Sequence, residues 1–127
     1  MELESNERID DLQFKDLKII QNKQGFCFGI DAILLSDFAK GMKKANLVVD
    51  LCTGTGIVAI LLAGKTEAKK IIGVEIQKPC ADMARRSVEL NKLENRVEIL
   101  NEDLKKLKDV IPSASVDTVT VNPPYMK

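Results

Sequence analysis

The sequence predicts an α/β fold built on a parallel sheet. Three observations predict it. From residue 47 onward, short apolar runs alternate with helix-like stretches. A glycine turn, Asp50-Leu51-Cys52-Thr53-Gly54-Thr55-Gly56, joins the first run to the first helix. A second turn, Asn122-Pro123-Pro124-Tyr125, follows the fourth run directly. Strand–helix alternation at this spacing implies right-handed crossovers between parallel strands. Ligands of such sheets bind outside the carboxyl ends of the strands.

Taken in order, residues 1–13 read as a polar lead-in, frayed at its start. Leu17 to Gln21 and Gly25 to Phe28 are short apolar runs around Asn22-Lys23-Gln24-Gly25, which predicts a small hairpin. Asp31 can cap a helix through Ile33, Leu34, Leu35 and Phe38 to about Lys40, with Gly41 stopping it. Residues 1–41 are therefore read as an N-terminal unit and 42–127 as the core unit. Leu47 to Leu51 is a buried strand. Gly56 to Ala63 is an apolar helix ended by Gly64. Lys70 to Glu75 is the second strand. Pro79 suits the first turn of a helix running to about Asn91, with Cys80, Met83, Ala84 and Val88 as its apolar stripe. Arg96 to Leu100 is the third strand, Leu104 to Val110 a short helix, and Val116 to Val121 the fourth strand.

Composition excludes several function classes. The 127 residues suit one domain, and 45% apolar with 30% charged residues describes an ordinary soluble chain. Nothing approaches the apolar run of about 18 residues that spans a membrane. The acidic start lacks the apolar core of a signal peptide, so cytoplasm is the expected compartment. Three dispersed cysteines, Cys27, Cys52 and Cys80, and no histidine argue against a disulfide framework or a zinc site. The commonest general base is also missing. Net charge is zero. The Lys40, Lys43, Lys44 and Lys105, Lys106, Lys108 clusters read as solvated ends, and Arg85 and Arg86 as the solvent face of a helix.

The glycine loop lets a ligand approach without a Cβ in the way. The helix start behind it offers N–H groups to a carboxylate or phosphate. Taken alone, Gly54-x-Gly56-x-x-Ala59 also fits a dinucleotide fingerprint, with Glu75 placed to accept from ribose hydroxyls. Three details favour S-adenosylmethionine. Asp50 can attract an ammonium group but would repel a pyrophosphate. Asp103, in Asn101-Glu102-Asp103, can accept from an adenine amine with the Leu104 N–H facing the ring; it equally suits an N-cap. The Asn-Pro-Pro-Tyr turn has no use in a dehydrogenase.

Asp50 to Gly56, Glu75, Asp103 and Asn122 to Tyr125 resemble the class I, Rossmann-like S-adenosylmethionine-dependent methyltransferases. Gln24 to Leu35, followed by Asp50 to Gly54, resembles the bacterial valine-tRNA adenine-N6 methyltransferase family, from about Arg8 onward. The resemblance implies a Rossmann-like fold with a truncated parallel sheet of about four strands, order 3-2-1-4, behind a small hairpin and helix. It implies S-adenosylmethionine as cofactor, held by Asp50, Cys52, Thr53, Gly54, Gly56, Glu75, Ile76, Asp103, Leu104 and Asn122. It implies tRNA as substrate and partner, and a segment at Phe26, Phe28 and Asp31 that covers the cofactor; core packing for the two phenylalanines is the plain alternative. Cys52 stands where many relatives carry glycine.

A sulfonium methyl is already electrophilic, so the enzyme needs no metal. In-line placement of the nucleophile alone contributes roughly 7–11 kcal/mol. The resemblance assigns the Asn122 side-chain carbonyl and the Pro123 backbone carbonyl as acceptors for the adenine amine. Pro124 helps stiffen the turn, and Tyr125 stacks on the flipped base. Asn122, Pro123, Pro124 and Tyr125 are thus the expected catalytic set; a bare proline turn is the plain alternative. A protein glutamine amide and a DNA adenine read the same tetrapeptide. A cofactor-binding fragment without turnover is the remaining alternative, because a sheet of this fold resembles seven strands. An unpaired fourth strand is expected either to self-associate or to leave residues 122–127 disordered.

Overall fold

The computed structural model describes residues 3–12, 14–22, 35–37, 46–106 and 116–121. Strands β1 (Glu7–Asp11) and β2 (Lys18–Asn22) form an antiparallel hairpin. Strands β3 (Leu47–Leu51), β4 (Lys70–Val74), β5 (Val97–Leu100) and β6 (Thr118–Val121) form an all-parallel sheet in the order β5-β4-β3-β6. Helix α1 (Ile57–Lys65) joins β3 to β4, and α2 (Lys78–Leu90) joins β4 to β5. A 3₁₀ turn covers Leu104–Lys106. The order is the 3-2-1-4 arrangement expected from the sequence.

Side-chain alternation divides the core. Val48, Ile71, Val97 and Ile99 face α1, α2 and the hairpin residues Leu17 and Ile19. Val49, Ile72 and Val74 face the other way, with Leu47, Leu51, Leu100 and Val116 packed on them. Helix α1 is apolar all round because it is buried all round, from Ile57 through Ala63. Truncating Leu62, 1% exposed, to alanine would cost about 2–5 kcal/mol.

Several details differ from the sequence reading. The partner of the 17–21 strand is Glu7–Asp11, which had read as frayed lead-in. Its charged residues disguise a strand whose Glu7 is buried against Arg86. The expected strand at 25–28 lies outside the described residues. So does most of the helix expected from Asp31, of which residues 35–37 are helical. Helix α1 runs through Gly64 and ends at Thr66, whose hydroxyl donates to the Leu62 carbonyl at 2.7 Å. Gly64 serves packing instead: a Cβ there would lie 2.8 Å from Leu17 Cδ1 and 3.1 Å from Phe14 Cε2. The Arg96 guanidinium satisfies the end of α1, donating to the Ala63 carbonyl at 2.6 Å and the Thr66 carbonyl at 3.1 Å.

On α2 the buried stripe is Ala81, Met83, Ala84, Ser87 and Val88, with Cys80 only half-buried. Arg85 is exposed, but Arg86 is not a solvent-face residue. It grips Glu7 bidentately, at 2.6 and 2.5 Å. The Ser87 hydroxyl accepts the Ile20 N–H at 2.9 Å, and Asn91 brackets Lys18 with bonds of 2.8 and 2.6 Å. These contacts lock the hairpin to α2. The helix expected over 104–110 is a 3₁₀ turn as far as it is described, and β6 is shorter than expected by Val116 and Asp117. No described helix is long and apolar enough to cross a membrane.

Candidate cofactor-binding site

The site begins with Asp50, the fourth residue of β3 and 1% exposed. Its register partners are Gly73 on β4 and Thr120 on β6. The Thr53 hydroxyl donates to its Oδ2 at 2.7 Å and the Thr120 hydroxyl to its Oδ1 at 2.7 Å. Burial pushes the carboxyl pKa up to about 6; the two hydroxyls pull it down and the nearby Glu75 charge adds to the rise. Asp50 therefore organises the loop from beneath.

The loop turns through the left-handed region three times, at Cys52 (φ 56), Gly54 (φ 60) and Gly56 (φ 91). The first explains why glycine suits position 52: a side chain there is strained by its backbone. A Cβ on Gly54 would meet nothing within 4 Å, so the loop's upper surface is open to a ligand. A Cβ on Gly56 would lie 3.2 Å from the Ala84 Cβ, so this glycine lets α1 and α2 approach. The Thr53 N–H donates to the Val74 carbonyl at 2.9 Å, leaning the loop over β4. Gly73 makes the space, since a Cβ there would lie 2.9 Å from Thr53 Oγ1.

Glu75 follows β4 and is 8% exposed. Its Oε1 accepts the Gly54 N–H at 2.8 Å and its Oε2 accepts the Gln77 N–H at 2.9 Å. Its backbone carbonyl takes the Glu102 N–H at 3.1 Å and the Asn101 side-chain amide at 2.9 Å. The carboxyl ends of β3, β4 and β5 are thus laced together at Glu75. Asp103 caps the 3₁₀ turn, accepting the Lys105 N–H on Oδ1 at 2.9 Å. Ile76, next to Glu75, and Leu104, next to Asp103, are 62% and 45% exposed, two apolar side chains left open at neighbouring strand ends.

Asp50, Cys52, Thr53, Gly54, Gly56, Glu75, Ile76, Asp103 and Leu104 all lie at this one edge. Asn122, Pro123, Pro124 and Tyr125 lie outside the described residues, as do Phe26, Phe28 and Asp31. Sequence reasoning missed Thr120, Gly73, Asn101 and Gln21. The strand alternation puts Thr118 and Thr120 on one face, and only the register with β3 singles out Thr120. Burial, then the Glu75 charge, pushes both the Cys52 and Cys80 thiols up, which keeps them protonated and poor nucleophiles. Among the described residues no group of three or more His, Cys, Asp or Glu could hold a metal ion.

The TRM5/TYW2 methyltransferase domain model matches residues 36–126. The chain belongs to that family. A tRNA1(Val) (adenine(37)-N6)-methyltransferase of Bacteroides fragilis is 30% identical over 113 residues, which is 89% of this chain and 47% of that protein. The protein of the same name from Histophilus somni is 31% identical over 115 residues, 90% of this chain and 48% of that one. The chain spans about half the length of the curated relatives it matches. The crystal structure of M. jannaschii TYW2 in complex with AdoMet superposes with a TM-score of 0.69 at 19% identity, over 94% of this chain and 52% of that one. That likeness shows the fold. In this TRM5/TYW2-type domain, the family match begins at Ser36 and includes the glycine loop, Glu75 and Asp103.

Proposed function

We propose that the chain binds S-adenosylmethionine and forms the cofactor half of an enzyme that methylates the exocyclic amine of an adenine in tRNA. The observation that carries this reading is the lacing of three strand ends at Glu75, in a chain of a methyltransferase family. The Glu75 carboxylate lies between the open Gly54 loop and the start of α2, where ribose hydroxyls can donate to its remaining lone pairs. Ile76 and Leu104 offer the two apolar faces an adenine ring needs, and Asp103 an acceptor for its amine. Asp50 supplies negative charge under the loop for the ammonium group. The cofactor brings its own activated methyl, so the residues of this chain have only to bind and orient it and to position the amine.

The catalytic assignments remain Asn122 and Pro123 as acceptors for the amine, Pro124 as a stiffener and Tyr125 as the stacking ring. They are supported by chain order: Asn122 follows Val121, the register partner of Leu51 at the end of β3. The names of the curated relatives favour tRNA adenine over DNA adenine or a protein amide. A tRNA substrate goes with a cytoplasmic site of action. Self-association rests on β6, one of the two edge strands of the described sheet, with Val119 and Val121 53% and 47% exposed; sedimentation at micromolar concentration tests it.

Calorimetric titration with S-adenosylmethionine and with NAD tests the cofactor: heat with NAD alone would overturn the reading. Methyl transfer by the longest available protein to unmodified tRNA, but not to a protein with an accessible glutamine or to DNA, tests the substrate. The Asn122→Ala variant of that protein should lose turnover by two or more orders of magnitude, as expected for a preorganised acceptor.

A further inference from the structure

We infer that Gln21 of the N-terminal hairpin is a cofactor ligand, whose side-chain amide donates to the carboxylate of the amino-acid end of S-adenosylmethionine. The inference deepens the proposed function and rests on it.

Gln21 lies near the end of β2, opposite Arg8, and is only 1% exposed. Its Oε1 meets the Thr55 hydroxyl at 3.4 Å, so its amide head lies against the glycine loop. Its Nε2 is buried and has no hydrogen-bond partner among the described residues. A buried amide donor without a partner is costly, and native proteins keep few of them. The site around it calls for an anion. Thr55 immediately precedes Gly56, the N-cap of α1, which has no side chain to cap the helix. The first turn of α1 carries no acidic residue, although Ile57, Val58 and Ala59 are all buried. The start of a nine-residue helix and an unsatisfied amide therefore adjoin each other at Thr55. A carboxylate accepts from both.

The opposite charge pattern lies across the loop. Asp50 and Glu75 supply the acids, and Gln21 with the start of α1 supplies the donors. An amino acid's ammonium and carboxylate groups match that pattern when laid over Gly54. The hairpin is fixed for this task. The Glu7–Arg86 pair, the Ser87 hydroxyl on the Ile20 N–H and the Asn91 bracket on Lys18 hold β2 against α2, so the Gln21 head is positioned before a ligand arrives.

The test compares two nucleosides by calorimetry on the intact chain. S-adenosylhomocysteine carries the carboxylate, and 5′-methylthioadenosine lacks the whole amino-acid end. Gln21→Met should weaken S-adenosylhomocysteine binding by about 10- to 100-fold, the size of a lost hydrogen bond to a charged group. It should leave 5′-methylthioadenosine within twofold. Gln21→Glu should weaken the first still further and again spare the second. Equal losses for both nucleosides would assign Gln21 a purely structural role and overturn the inference. Unchanged S-adenosylhomocysteine binding by Gln21→Glu would overturn it as well. A wild-type chain that binds 5′-methylthioadenosine no more weakly than S-adenosylhomocysteine would defeat this inference while leaving the nucleoside site standing. Failure of the wild type to bind either nucleoside would overturn the cofactor reading itself.

Discussion

The Glu75 carboxylate accepts the backbone N–H of Gly54, twenty-one residues earlier, at 2.8 Å. One side chain thereby fixes the open face of the glycine loop and, through the Gln77 N–H on its other oxygen at 2.9 Å, the start of α2. The loop is shaped before any ligand binds. Glu75→Gln puts an NH₂ group where one of the two N–H donors now points. The variant should lose about 1–3 kcal/mol of stability, the cost of an unmade buried hydrogen bond. Its affinity for S-adenosylmethionine should fall at least tenfold. Urea denaturation and calorimetry on the same sample check both, and unchanged stability would mean that Glu75 does not shape the loop.

Asp50 gives a pH signature of unusual sign. Its folded pKa is raised, from the usual 3.8 to about 6. Between those values the folded state holds a proton that the unfolded state has released. Stability from this group is therefore full below about pH 4 and is lost as pH rises through 6, by roughly 3 kcal/mol. Asp50→Asn cannot titrate. The stability difference between wild type and Asp50→Asn, measured by denaturation from pH 4 to pH 7.5, should move in the variant's favour as pH rises. The same variant should bind the cofactor more weakly at pH 7.5, because the charge under the loop is gone. A pH-independent difference would show that Asp50 titrates normally.

Cys52 carries its side chain at φ 56. Glycine is free of the left-handed strain there but loses more conformational freedom on folding. The half-buried thiol contributes little packing to offset the strain. Cys52→Gly should leave the protein more stable by about 0.5–1 kcal/mol, and Cys52→Val should destabilise it by about 1–2 kcal/mol. Thermal melts of the pair decide; a valine variant as stable as wild type would refute the left-handed assignment.

Much of this was legible in the sequence, and the reason is local. Buried parallel strands read as continuous apolar runs, so Leu47–Leu51 and Ile71–Val74 announce themselves. The loop residues Asp50, Gly54 and Gly56 and the acid Glu75 follow from where such strands end. What escaped depends on distant partners. Strand β1 has a single apolar residue, Ile9, and is a strand because β2 pairs with it and Arg86, seventy-nine residues from Glu7, neutralises its buried acid. Gly64 looks like a helix stop, yet it is a notch for Leu17 and Phe14 from the hairpin. The Thr120 hydroxyl on Asp50 spans seventy residues, and no local pattern distinguishes it from Thr118.

Gly73 tests how finely the loop is fitted to the sheet. An alanine Cβ would press on Thr53 Oγ1 at 2.9 Å, Thr53 Cγ2 at 3.0 Å and Ile99 Cδ1 at 3.0 Å. Thr53 must then shift, and with it the 2.7 Å bond to Asp50. Gly73→Ala should cost about 1–3 kcal/mol from overpacking and lower cofactor affinity, although residue 73 touches no ligand. Gly73→Ala with Thr53→Ser, which removes the crowding methyl, should recover part of the stability. A double variant no better than Gly73→Ala alone would place the strain elsewhere.

The hairpin's grip on α2 is the last point of leverage. Glu7 is buried with its side chain 4% exposed, and Arg86 beside it is 18% exposed. The Arg86 guanidinium holds the Glu7 carboxyl below its ordinary range, outweighing the rise that burial causes. A lowered carboxylate pKa contributes stability above its unfolded value, near 4.5, and loses it as pH falls through the folded one. Arg86→Ala leaves a carboxylate uncompensated in the interior and should cost about 3–5 kcal/mol at pH 7. Removing both partners, as Glu7→Gln with Arg86→Met, should cost less than Arg86→Ala alone, because no stranded charge remains. Affinity for S-adenosylhomocysteine should fall in Arg86→Ala more than affinity for 5′-methylthioadenosine, since the hairpin that carries Gln21 loses one of its three holds on α2. Denaturation curves for the three variants, read with the two nucleoside affinities, separate lost stability from lost positioning.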